Sequence, residues 1–267
     1  MTATDRVIIF DTDGTLIDGR RAVLDAVAHA LTVTYEHFEL TVPEVDRERI
    51  ELAIGLPSPA FFRTAFDQST VPAELRDAFI GEFEVQSVRA EVAALRRGES
   101  HLYAGAERTL ETLCERGFSL ALYSNAAEPY FQTVIDVHRL DRWFSRTLSL
   151  EYAVRRRLAR NKTGMVRYLA RDFGDVIVVG DRVHDVDAGR AIGAVTIGCR
   201  FGFGEVDELA NANSTWDEPD WNQTDWDSGR LIETYDPSSN TGLPFRIPAG
   251  LSAGITDEQK NYLDGDA

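Results

Sequence analysis

Three short apolar runs that each meet a polar or acidic residue constrain this chain of 267 residues more than any other feature: VIIF before Asp11, FSLALYS ending at Ser124, and DVIVVGD ending at Asp181. AVTIGC (194–199) is a fourth run of the same kind. Continuous apolar strands of this length belong inside a parallel sheet whose two faces are both covered. Between them, GAERTLETLCERG and NKTGMVRYLARDFG carry apolar residues at helical spacing, with glycine just past the end as a stop signal. The pattern predicts an α/β fold with a doubly wound parallel sheet in which all four runs are central strands. In open sheets of this kind ligands bind beyond the carboxyl ends of the strands. Asp11, Asp13, Ser124 and Asp181 all fall there.

The alternation breaks between residues 19 and 98. RRAVLDAVAHALTVTYEHF, VDRERIELAIG, SPAFFRTAFDQS and PAELRDAFIGEFEVQSVRAEVAALRRG read as successive amphipathic helices, with proline or glycine at several junctions. The expected organisation is a core formed by residues 1–18 and 99–204, an inserted all-helical cap over 19–98, and an extension over 205–267. The extension is turn-rich and acidic, and no secondary structure is expected in it. Its residues Trp216, Trp221 and Trp226 are expected to anchor it to the body or to a partner, with no part in chemistry.

Hydrophobic residues make up 43% of the chain, enough for a substantial core. The net charge is −16, which argues against a general nucleic-acid or anionic-membrane surface, because phosphate backbones are bound through Lys and Arg patches. Residues 205–267 hold 14 acids against Arg230, Arg246 and Lys260, so that segment alone carries −11. No run approaches the roughly 18 apolar residues of a membrane helix, and the first residues lack a basic segment followed by an apolar one, so a cytoplasmic location is expected. Cys114 and Cys199 are too few for a disulfide framework or a thiolate metal site and are expected to be plain thiols.

Two carboxylates at the end of a buried strand, Asp11 and Asp13, are costly unless a cation neutralises them. A hard Mg²⁺ ion takes carboxylate and carbonyl oxygens together with a substrate phosphate. A carboxylate can also attack phosphorus, while a second acid protonates the leaving oxygen and later deprotonates water. Gly14 would supply the turn after the strand, and Thr15 a hydroxyl and an amide.

The stretch DTDGTLID (11–18) resembles the first motif of the haloacid dehalogenase-like hydrolases, D-x-D-G-T-L/V. Three further motifs of that family can be placed in order: LALYSNA with Ser124 and Asn125, RNKTGMVRYL with Lys162, and VIVVGDRVHDVDAGRAIGA with Gly180, Asp181 and Asp185. The stretches IGLPSPAFF and HLYAGAERTLETL are similar to the phosphoglycolate phosphatase-like branch, which has an all-helical cap over a Rossmann-like core. The resemblance covers roughly residues 6–204.

It implies a Mg²⁺-dependent phosphatase hydrolysing a small phosphate monoester through an aspartyl-phosphate. Asp11 would be the nucleophile, Asp13 the acid and base, and Lys162 a catalytic cation. Thr15, Ser124, Asn125 and Lys162 would bind the phosphate, and Asp11, Asp13, Asp181 and Asp185 the metal. The expected partner is a small phosphorylated metabolite, phosphoglycolate being the single best candidate, with neither nucleic acid nor membrane bound. Other readings are a phosphomutase of the same family and a non-catalytic scaffold on this fold. A two-component receiver is disfavoured, because its phosphoacceptor Asp ends a later strand and FSLALYSN offers none. Taken alone, Ser124, Asn125, Asp181 and Asp185 have the chemistry of helix caps, and Lys162 that of a solvated surface charge.

Overall fold

In a computed structural model of the protein, which describes residues 6–216, the first apolar run forms strand β1 (Arg6–Phe10). A two-residue strand β2 (Ile17–Asp18) leads into four helices: α1 (Arg20–His37), α2 (Arg47–Ala53), α3 (Ser58–Thr64) and α4 (Arg76–Arg96). Strand β3 (His101–Leu102) pairs antiparallel with β2 and brings the chain back. Then follow α5 (Ala106–Glu115), β4 (Ser119–Ser124), α6 (Glu128–His138), β5 (Phe144–Ser149), α7 (Leu150–Arg155), α8 (Lys162–Ala170), β6 (Asp175–Gly180), α9 (Val183–Arg190), β7 (Val195–Cys199) and β8 (Ser214–Trp216).

The main sheet has the order β5-β4-β1-β6-β7-β8, and every neighbouring pair in it is parallel. The four apolar runs are its inner strands, as the sequence predicts. Ile8 stands between Leu120 of β4 and Ile177 of β6. From β1 the chain winds outward one way through β4 and β5 and the other way through β6 to β8. The crevice beyond the end of β1 is therefore the point where strand order reverses, the favoured ligand position in open parallel sheets.

Alternation along each strand divides the core into two layers. Ile8, Phe10, Leu120 and Leu122 face a cluster that includes Leu110 and Leu113 of α5 and Phe131 and Val134 of α6. Val7, Ile9, Ala121 and Tyr123 face the other side, against Met165, Val166 and Leu169 of α8. The helical insert has a third cluster of its own, in which Tyr35, Phe62, Phe66, Phe79 and Phe83 pack ring against ring.

One expected boundary is corrected. The sheet does not stop at residue 204: β8 joins β7, Leu209 is buried against Gly198, and Trp216 belongs to the first core cluster. Three strand residues in an acidic, turn-rich stretch are too few to show a period of two, so composition concealed them. Trp221 and Trp226 lie outside the described residues. Cys114 and Cys199 are both free thiols, as expected.

Candidate active site

The segment after β1 is fixed by backbone bonds before any side chain acts. The Asp11 amide donates to the Val179 carbonyl (2.9 Å), and the Thr12 hydroxyl donates to the Tyr123 carbonyl (2.9 Å), tying the loop to both neighbouring strands. The chain then turns sharply at Gly14, whose φ is +78° and whose amide donates to the Ile17 carbonyl (3.0 Å). A Cβ there would lie 2.3 Å from Asp181 Oδ2, so both the conformation and the space require glycine. The turn brings the Thr15 hydroxyl 3.3 Å from Asp181 Oδ1.

Lys162 opens α8, capped by Asn161, whose Oδ1 accepts from the Gly164 amide (2.8 Å). Its ammonium donates to Asp11 Oδ1 (2.8 Å) and to Asp185 Oδ1 (2.6 Å), with all three groups buried. Asp185 Oδ1 also accepts from the Tyr123 hydroxyl, and its Oδ2 from the Arg182 amide (3.0 Å). Asp181 Oδ2 accepts from the Phe203 amide (2.7 Å). Ligand oxygens of Asp11, Asp181 and Asp185 lie within 4.8 Å of one another.

Three buried carboxylates share one buried ammonium. Burial pushes the Asp11 carboxyl well above the usual range, with Lys162 opposing, and it pushes Asp181 up to about 7, reinforced by Asp185. Burial works against the charge on Lys162, but Asp11 and Asp185 outweigh it and hold the ammonium above its ordinary value. The fully ionised cluster would carry an excess of two negative charges. A divalent cation cancels that excess, and an all-oxygen donor set suits Mg²⁺. Asp185 also orients Lys162 through Oδ1 and closes the turn before α9 through Oδ2.

Asp13 sits slightly further out, its Oδ1 accepting from the Tyr130 hydroxyl of α6 (2.6 Å). Burial raises this carboxyl to about 6, with the Tyr130 bond and Lys162 pulling the other way. Glu91, projecting from α4 toward the same cleft, is raised to about 8 by burial and then by the Asp13 charge. Tyr123, Tyr130 and Glu91 escape sequence reasoning, because two aromatics in apolar elements and one acid on a long helix carry no distinguishing signal.

Ser124 and Asn125 reach the cleft at the end of β4. The Ser124 hydroxyl accepts from the Ala126 amide (3.1 Å), and Asn125 Nδ2 donates to the Gly55 carbonyl of the insert (3.0 Å). One N–H of the Asn125 amide is thus taken by the insert's backbone, which leaves Nδ2 a second N–H, and its buried Oδ1 has no protein partner among the described residues. Arg182 makes a parallel connection, donating to the Ile54 carbonyl and to Glu208 Oε2 (3.0 Å). The structure therefore gathers Asp11, Asp13, Thr15, Ser124, Asn125, Lys162, Asp181 and Asp185 at one place, with Asn125 also bonded to the insert.

The family model for haloacid dehalogenase-like hydrolases matches residues 6–193. The chain belongs to that family. The haloacid dehalogenase-like match spans β1 through α9, so it takes in the helical insert and every residue of the acidic cluster. The chain is 29% identical over 205 residues to a phosphoglycolate phosphatase of Agrobacterium fabrum, covering 74% of this chain and 82% of the relative. It is 28% identical over 225 residues to one from Haemophilus influenzae, covering 81% and 95%. Among solved structures, a haloacid dehalogenase-like family hydrolase from Streptococcus pneumoniae superposes with a TM-score of 0.62 at 19% identity, over 82% of this chain and 96% of that one. At that identity the likeness speaks for the fold alone.

Proposed function

We propose that this haloacid dehalogenase-like hydrolase is a Mg²⁺-dependent phosphatase that cleaves a small phosphate monoester through an aspartyl-phosphate on Asp11. The observation that carries the reading is the pairing of Asp11, held by Lys162 at the floor of the cleft, with a second acid two residues away that is free to exchange a proton. The names of the curated relatives, phosphoglycolate phosphatases, support the hydrolysis of a phosphate ester.

Asp11 Oδ2, the oxygen not bound by Lys162, attacks phosphorus as the ester P–O bond breaks. Asp13 delivers its proton to the departing alkoxide oxygen. A value near 6 leaves a useful share of the acid form close to neutral pH, as a proton donor requires. The resulting Asp13 carboxylate, steadied by the Tyr130 hydroxyl, then takes a proton from water. That water attacks the aspartyl-phosphate, releasing phosphate and restoring Asp11. Lys162 and Ser124 face the phosphate oxygens, and such fixed charges and dipoles supply most of the rate enhancement in phosphoryl transfer. The metal would be held by Asp11, the Asp13 main-chain carbonyl and Asp181, with Asp185 acting through water, and it would neutralise phosphate and nucleophile charge. The cleft, about 710 Å³ including its open mouth, suits a small metabolite.

The test is phosphate release from a panel of monoesters with Mg²⁺ and with EDTA. Asp11→Asn should lower turnover at least a hundredfold, about 2.7 kcal/mol in barrier. Activity within tenfold of the unaltered enzyme would exclude the covalent route, and a scaffold would release no phosphate above background.

A further inference from the structure

Away from the phosphate-facing floor, the cleft is walled by Ile54, Leu56, Phe61, Phe62 and Val88 of the insert, and the insert adds one acid, Glu91. Among the described residues lining the cleft, Lys162 is the one cation, and it is already shared by Asp11 and Asp185. The two arginines beside the cleft are also engaged. Arg20 pairs with Glu51, donates to the Gly202 carbonyl (2.7 Å) and stacks on Phe203, while Arg182 is held by Glu208 and the Ile54 carbonyl. Backbone donors are scarce on the insert side as well. Pro57 and Pro59 have no N–H, the amides of Ala60 and Phe61 return to the Pro57 carbonyl (2.8 and 2.9 Å), and the Ser58 hydroxyl donates to Glu84 (2.7 Å). A carboxylate on the leaving group would meet apolar walls with no free cation to pair with it, a costly desolvation. Burial keeps the Glu91 carboxyl largely neutral near pH 7, able to exchange hydrogen bonds with a hydroxyl.

Resting on the phosphatase reading above, we infer that the leaving-group side of the cleft selects phosphate esters of uncharged alcohols with an apolar body, with Glu91 meeting a hydroxyl, and rejects esters that bear a carboxylate. Phosphoglycolate, expected from the family resemblance, is then a poor substrate.

The deciding pair is 2-phosphoglycolate and 2-hydroxyethyl phosphate, which differ only in carboxylate against hydroxymethyl, with benzyl phosphate as an apolar third. The wild-type enzyme should show kcat/KM at least tenfold higher for 2-hydroxyethyl phosphate and for benzyl phosphate than for 2-phosphoglycolate. Glu91→Lys, which adds the missing cation, should move the ratio at least tenfold toward 2-phosphoglycolate. Titration calorimetry of Asp11→Asn with the same esters reads the preference without turnover. Binding that favours the esters of uncharged alcohols with no wild-type turnover would overturn the phosphatase reading and keep this one. Equal or better use of 2-phosphoglycolate, equal or tighter binding of it, or binding of none of the three, would overturn this one.

Discussion

A carboxyl enclosed by apolar side chains is more stable as the acid than as the anion, and Glu91 brings that preference into the folding equilibrium. Its value rises from 4.5 in the ordinary state to about 8 in the fold, chiefly through burial. The stabilisation is therefore fully present below about pH 4.5 and is lost as pH rises through 8. Between pH 5 and 9 the melting temperature of the wild-type protein should fall more steeply than that of Glu91→Gln. Asp13 and Asp181 titrate in both proteins, so the difference between the two curves isolates Glu91; parallel curves by scanning calorimetry would refute this environment. At this scale the sequence discloses residues whose spacing is local. Asp11, Asp13 and Thr15 lie on one turn, and Asp181 and Asp185 both follow within five residues of the end of one strand. The Tyr130 bond to Asp13 spans 117 residues and the Tyr123 bond to Asp185 spans 62, and no local pattern encodes such meetings.

The short strand β8 does more than extend a sheet. With it comes Glu208, whose carboxylate receives Arg182 and the Val183 amide (3.0 Å) at the start of α9, immediately after Asp181. Ending the chain after Gly204 would remove the buried Leu209 and Trp216 and leave Ile197 and Cys199 uncovered. At roughly 1.5–3 kcal/mol for each large apolar side chain, the loss is about 4 kcal/mol. Thermal unfolding should therefore occur about 10 °C lower for a chain ended after Gly204 than for one ended after Trp216. Equal midpoints would mean that β8 contributes nothing to stability. Inner strands are legible because burial on both faces makes them continuously apolar. The edge strand β5 is not, because Ser145 and Thr147 face solvent and break the run, and β2 and β3 are too short for any period to appear.

The whole molecule carries a net charge of −16, yet its sharpest electrostatic problem is the buried cluster of Asp11, Asp181 and Asp185 around Lys162. A ligand at free concentration L that binds the native state alone stabilises it by RT ln(1 + L/Kd), about 2.7 kcal/mol at a hundred times its dissociation constant. Mg²⁺ should accordingly raise the melting temperature by several degrees over EDTA at matched ionic strength, and Asp181→Asn should lose most of that shift. An equal response from both proteins would indicate screening of surface charge rather than a bound ion. The pairing of Ile17 with Leu102 and Asp18 with His101 draws the two ends of the helical insert together at one seam of the core. A segment spliced through a single seam can be exchanged in descent without disturbing the parallel sheet. The insert can therefore vary in length and lining without moving the strand ends that carry Asp11, Ser124 and Asp181.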